Sequence, residues 1–86
     1  MRLDVIRIDR RHDNSACIAV VAVAIPKAGV EVRGIRIIRR DDGSVYANMP
    51  HQRDHLGAWY PTVRFMKPGT VDAIKRAAVE AVCGPQ

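Results

Sequence analysis

The most informative segment of the chain is residues 16–49, which read ACIAVVAVAIPKAGVEVRGIRIIRRDDGSVYANM. Apolar runs alternate in it with turn-forming groups at 26–29 and 41–43, where proline, aspartate and glycine favour a reversal of the chain. The segment therefore predicts three strands that follow one another as a meander, over residues 16–25, 30–39 and 44–49.

The first of these strands is apolar at every position from Ala16 to Ile25. A strand with one face in water alternates between apolar and polar residues, whereas a strand covered on both faces does not need to. We therefore expect a helix to cover one face of this strand and a partner to cover the other.

An irregular pattern in residues 30–39 predicts a β-bulge. Val30 and Val32 share one parity, Ile35 and Ile37 share the other, and Gly34 lies where the parity changes. A shift of one residue moves every side chain to the opposite face of a sheet. An extra residue at Gly34 would therefore keep all four apolar side chains pointing inward.

Further strands are predicted on both sides of this segment. Alternating apolar residues predict a strand over residues 3–9. Residues 50–57 are interpreted as a long polar loop and residues 58–65 as a fifth strand. Pro61 cannot donate a hydrogen bond to a neighbouring strand, which indicates an edge strand or a break at that point.

A helix is predicted over residues 71–82, with Thr70 as its N-cap and Gly84-Pro85 as its end. Its apolar stripe would consist of Val71, Ile74, Ala78 and Val82. The 86 residues are thus expected to form one domain of the α+β class, a five-stranded, mostly antiparallel β-sheet meander followed by one C-terminal helix.

The composition is strongly basic. Fourteen Lys and Arg residues oppose nine Asp and Glu residues, which gives a formal net charge of +5, and eleven of the fourteen are arginine. The guanidinium group suits planar, bidentate contacts to phosphate. We therefore expect a polyanionic partner, DNA or RNA in preference to an anionic membrane.

The best candidates for phosphate contacts are cations outside the middle of strands, because those side chains are free to meet a ligand. These candidates are Arg39, Arg40, Arg53, Arg64, Lys67, Lys75 and Arg76. Tyr46, Trp59 and Tyr60 could provide stacking surfaces for unpaired bases. For Trp59, the only tryptophan, a position in the core is the favoured alternative.

No pattern indicates catalysis, a cofactor, a metal ion or a small-molecule substrate. His51 and His55 are four residues apart but lie in a loop without a third ligand at a useful spacing. Asp41 and Asp42 are interpreted as solvated turn residues. Cys17 and Cys83 are expected to be structural thiols, buried as small apolar side chains. The chain is therefore expected not to be an enzyme.

The expected location is the cytoplasm. Residues 1–11 do not show the pattern of a signal peptide. No apolar run approaches the roughly 20 residues that a membrane-spanning helix needs.

Parts of the sequence resemble the SpoVG family (stage V sporulation protein G, a septation regulator of bacteria). The resemblance is carried by residues 30–38, by Met49-Pro50-x-x-Arg53 and by Gly57-x-Trp59, and it extends over about residues 1–82. It departs from the family at His51-Gln52-Arg53, where the family commonly has Ser-Lys-Arg, so one cation is missing.

The resemblance implies a small cytoplasmic homodimer with a β-sheet and a C-terminal helix that regulates by binding DNA or RNA and has no catalytic activity. It would also make the partner of the doubly apolar strand a second copy of the chain. The alternative that remains open is a protein-interaction module of the division and septation machinery, with no direct role for nucleic acid.

Overall fold

The computed structural model describes residues 2–84 and places one helix against an antiparallel sheet. The sheet contains β1 (Asp4–Arg10), β2 (Cys17–Ile25), β3 (Val30–Arg39) and β4 (Val45–Asn48), adjacent in chain order. A separate two-stranded hairpin follows, formed by β5 (His51–Arg53) and β6 (Trp59–Pro61), and then α1 (Thr70–Cys83). The α+β class, the antiparallel meander and the C-terminal helix are confirmed.

The expected fifth strand of the sheet is wrong in both length and partner. Only residues 59–61 of the predicted 58–65 are extended, and they pair with residues 51–53, which had been interpreted as loop. Pro50 and Pro61 bound this pairing, and neither proline can donate a backbone hydrogen bond. The short hairpin therefore stands apart from the main sheet, which has four strands.

The turns are as compact as the sequence predicted. Pro26–Ala28 forms one 3-10 turn between β2 and β3, and Gly29 follows it with a φ of 67°. Between β3 and β4 the amide of Gly43 donates to the carbonyl of Arg40, with a φ of 88° at Gly43. Such tight connections leave adjacent strands no alternative to antiparallel pairing.

The β-bulge at Gly34 is confirmed. Val21 pairs with Ile35 and Val23 with Val32, so one residue of β2, Ala22, opposes two of β3, Arg33 and Gly34, and Gly34 has a φ of 79°. Val32, Ile35 and Ile37 are buried as a result. Val30 had been expected to point inward with them but is 43% exposed. It lies at the start of β3, beyond the part of the sheet that the helix covers.

The core lies between the sheet and one face of α1. Ile74 and Ala78 of the helix pack against alternate residues of β2 and against β3 and β4. Val71 and Val82 complete the predicted stripe but remain partly exposed. The helix begins at Thr70, one residue earlier than predicted. Gly69 rather than Thr70 is its N-cap, and Pro85 lies outside the described residues.

The second face of β2 carries Val20, Ala22 and Ala24, opposite the helix. Their partners on the neighbouring strands are charged, for example Asp9 and Arg36 on either side of Val20. Arg7, Asp9 and Arg33 line a shallow groove over this strand. The aliphatic parts of the neighbouring arginine side chains therefore help to cover the small residues on this face of β2.

Of the two cysteines, Cys17 is buried as expected and Cys83 is exposed, contrary to expectation. Cys83 is the last residue of α1 and does not belong to the apolar stripe that packs on the sheet. No helix within residues 2–84 combines the length and the apolarity needed to cross a membrane.

Candidate nucleic-acid interface

Four arginines gather at one end of the main sheet. Arg10 and Arg11 end β1, and Arg39 and Arg40 end β3; together with His12 they line an open depression of about 950 Å³ beside the C-terminus of α1. We call these five residues the arginine basin. Asp13 and Asp41 also line the depression, so cations exceed carboxylates there by four to two.

The order of the strands explains this gathering. β1 and β3 both pair antiparallel with β2, so they run in the same direction and their C-terminal residues lie at the same end of the sheet. Each ends in an Arg-Arg pair, at residues 10–11 and 39–40. The sequence interpretation included Arg39 and Arg40 but missed Arg10, Arg11 and His12. The repeated Arg-Arg pair at the ends of alternate strands was the signal that could have revealed them.

Ion pairs are located elsewhere in the described part of the chain. Arg2 pairs with Asp4 at 3.2 Å, Arg7 with Asp9 at 2.9 Å and Arg33 with Glu31 at 3.0 Å. Among residues 2–84 these three are the only salt bridges, and none involves a basin arginine or any of the seven candidates from the sequence. The guanidinium groups of the basin arginines therefore have no carboxylate of the described residues within ion-pair distance.

Two carboxylates near the basin, Asp13, which lines it, and Asp42, which follows the lining residue Asp41, are hydrogen-bonded within their own turns. Asp13 accepts hydrogen bonds from the hydroxyl and amide of Ser15, and Asp42 accepts the same pair from Ser44. These bonds, with a smaller contribution from Arg11 or Arg40, lower the pKa of both carboxyl groups from their ordinary value of 3.8. Both side chains are therefore held in turns and not against a guanidinium group.

Arg10 connects the basin to the helix. Its guanidinium donates to the carbonyl of Val82 at 3.3 and 3.4 Å. The last carbonyls of a helix lack intrahelical partners and carry partial negative charge, which a cation stabilises. The last turn of α1 contains no basic residue of its own, so Arg10 supplies that charge from β1.

A second basic group lies beside Tyr46. Lys75 and Arg76 of α1, with Glu80, line a depression of about 420 Å³ that includes the Tyr46 side chain. The guanidinium of Arg40 stacks on the same ring at 4.0 Å from its centre. Tyr46 thus contacts one basin arginine and lines the depression that holds the helix cations, and four of the seven predicted residues belong to the region of these two depressions.

Arg53 lies apart from that region, on the β5–β6 hairpin. Its guanidinium stacks over the indole of Trp59, 5.3 Å from the ring centre. Trp59 is 65% exposed, so the favoured core position is wrong. The hairpin that carries it contributes no residue to the buried core because it is separate from the main sheet.

Arg64 and Lys67 are exposed in the segment between β6 and α1. Neither lines the arginine basin or the depression beside Tyr46. The structure thus does not bring them together with the other predicted cations.

A groove of about 450 Å³ opens beside the hairpin, on the sheet face opposite the helix. It is lined by Gly34, Arg36, Asn48, Met49, Pro50, His51 and Trp59. We call it the Trp59 groove. Arg36 and Asn48 are directly opposite each other on β3 and β4. The sequence interpretation missed this site because Arg36 lies in mid-strand and because residues 50–57 were interpreted as loop.

No three His, Cys, Asp or Glu side chains within residues 2–84 are grouped so that they could hold a metal ion. The chain matches no protein-family model, no curated protein and no solved structure.

Proposed function

We propose that this protein is a small, non-catalytic regulator that binds DNA or RNA through the arginine basin and the cations beside Tyr46. One observation carries the proposal: the described arginines that form ion pairs lie outside the basin, while the basin arginines have no carboxylate partner. Unpaired guanidinium groups attract phosphate, and phosphate contacts supply most of the affinity in sequence-independent binding.

The proposal includes a homodimer in the cytoplasm, as the resemblance to the SpoVG family implies. The exposed side chains of Ile6 and Ile8 support self-association, because they lie on β1, an edge strand of the main sheet. An edge strand has unpaired backbone groups that a second chain can use. Arg53, Arg64 and Lys67 would then extend the interface as secondary contacts.

Two charge-matched triple variants test the proposal. The basin variant carries Arg11→Ala, Arg39→Ala and Arg40→Ala, and the ion-pair variant carries Arg2→Ala, Arg7→Ala and Arg33→Ala. Each lowers the formal net charge of +5 by three. Affinity is measured by fluorescence anisotropy against DNA and RNA oligomers of matched sequence.

The basin variant should lose at least about tenfold in affinity, since a hydrogen bond to a charged group contributes roughly 1.5–3 kcal/mol. The ion-pair variant should stay within about threefold of the wild type, because only the loss of net charge affects it. Equal losses in the two variants, or no binding by the wild type, would contradict the proposal.

A specific observation favours a second candidate function, a protein-interaction module. Leu56, Trp59 and Tyr60 are exposed on the same hairpin, and exposed apolar side chains in one place often mark a protein interface. Affinity capture from a lysate, with and without nuclease, separates the two functions. A partner that survives nuclease and still binds the basin variant would favour the interaction module.

A further inference from the structure

The exposure of Trp59 is the starting point. Large aromatic side chains are usually buried, yet this one is 65% exposed and forms one wall of the Trp59 groove. An accessible indole is a good surface on which an unpaired base can stack, because every base offers a flat π-face.

The hairpin holds the indole in place without burying it. The carboxylate of Asp54 accepts hydrogen bonds from the amides of Leu56 and Ala58, both at 2.9 Å. The backbone of Asp54 also bonds to Ala58 and Gly57, which closes the turn. Arg53 stacks on the ring from the opposite strand of the hairpin. A ligand would therefore meet a ring that is already ordered, which reduces the entropy lost on binding.

The rest of the groove combines an apolar floor with polar groups suited to the edge of a base. Met49 is buried and Pro50 is partly buried, whereas Arg36 and Asn48 contribute a guanidinium and an amide. The ring nitrogen Nδ1 of His51 donates to the carbonyl of Met49 at 2.6 Å, which leaves Nε2 available as an acceptor in the neutral ring. Hydrogen-bond donors and hydrogen-bond acceptors are thus both present beside the indole.

We propose that the Trp59 groove binds one unpaired base of a single-stranded nucleic acid, with the base stacked on Trp59 and its edge or adjoining phosphate contacted by Arg36, Asn48 and His51. This inference rests on the proposed function. It adds a preference for single strands, because a base inside a duplex is stacked on its neighbours and cannot reach the ring. The groove volume of about 450 Å³ is in the range of small-ligand sites.

Trp59 is the only tryptophan, so its fluorescence reports on this groove alone. The protein is titrated with a short DNA single strand, with the duplex of that strand and its complement, and with heparin, a polyanion without bases. Binding of each polyanion is followed separately by anisotropy or by competition. We expect the single strand to quench Trp59 and the duplex and heparin to bind without comparable quenching.

Two substitutions at the same position test the role of the ring. Trp59→Leu should reduce single-strand affinity by about 5- to 150-fold, the range expected for loss of one base–aromatic stack, and should leave duplex affinity within about twofold. Trp59→Phe keeps a ring and should retain most of the preference. Leu56→Ala, at the exposed tip of the same hairpin and outside the groove, should have no effect.

Several outcomes would overturn the inference. Single strand and duplex could quench equally, Trp59→Leu could leave single-strand affinity unchanged, or a free mononucleotide could bind as tightly as the strand. Binding of nucleic acid without quenching would remove the groove but leave the basin as the interface. Absence of any binding by the wild type would remove the proposed function itself, and this inference with it.

Discussion

At the scale of single residues, Gly34 determines which side chains of β3 face the helix. It has a φ of 79°, in the left-handed region that L-residues other than asparagine and aspartate rarely adopt. A Cβ built at this position meets only the Cβ of Pro50, at 4.0 Å, which is an ordinary contact. The cost of a side chain at this position is therefore one of backbone conformation and not of space.

Gly34→Ala should lower the free energy of unfolding by about 1 kcal/mol, the left-handed strain less the entropy that alanine removes from the unfolded chain. Gly34→Asn should cost less than Gly34→Ala, because asparagine tolerates positive φ. Chemical denaturation of the three proteins measures both values. A larger loss for asparagine than for alanine would show that space, and not φ, limits this position.

The pKa of Asp42 gives a second prediction at this scale. Hydrogen bonds from Ser44 lower it from 3.8, so the folded carboxyl group has a lower pKa than the unfolded one. Its contribution to stability is therefore complete above the unfolded pKa and is lost as the pH falls through the folded pKa. Ser44→Ala should raise the pKa of Asp42 toward 3.8, measured by NMR titration of the carboxyl carbon. The pKa of Asp13, which is bonded to Ser15, should not change; no rise at Asp42 would show that Ser44 is not the cause.

At the scale of secondary-structure elements, the attachment of α1 to the sheet depends on a narrow stripe. Ile74 is fully buried between β2, β3 and β4, whereas Arg76 on the same helix is exposed. Ile74→Ala should lower the free energy of unfolding by about 2–5 kcal/mol through lost burial and a cavity. Arg76→Ala should change it by no more than about 0.5 kcal/mol. Thermal or urea unfolding measures both, and similar values for the two variants would contradict this packing.

The four strands of the sheet and the helix could be predicted because their apolar patterns are long and are bounded by turn residues. The β5–β6 hairpin could not, since each of its strands has only three residues and neither has a buried face. One signal was present. The turn Asp54–Ala58 is closed by the same two backbone hydrogen bonds as the turn Arg40–Ser44. In each turn the fourth residue is a glycine with positive φ, Gly57 or Gly43.

At the scale of the whole molecule, the basic residues could be predicted as a class but not as a surface. The residue types show which side chains are cations, whereas the order and direction of the strands determine which cations lie close together. Arg10 and Arg39 are far apart in sequence and share one depression because β1 and β3 run in the same direction. Trp59 was assigned to the core because burial is the usual position for tryptophan, and only the separate hairpin explains its exposure.

The proposed homodimer gives a prediction for the mass in solution. Sedimentation equilibrium should yield twice the chain mass of 9.5 kDa. The double variant Ile6→Lys, Ile8→Lys should shift the equilibrium toward the monomer, because it replaces two exposed apolar side chains of edge strand β1 with charged ones. A wild-type monomer at all concentrations would contradict the dimer.

Basin arginines without a carboxylate partner among the described residues are proposed to contact phosphate, and the salt dependence of binding measures such contacts. Each phosphate neutralised contributes roughly 0.7–0.9 to the slope of log affinity against log salt concentration. The slope for the basin variant should be smaller than the wild-type slope by about 2–3, whereas the ion-pair variant should keep nearly the wild-type slope. Equal slopes for the basin variant and the wild type would show that these arginines do not meet nucleic acid.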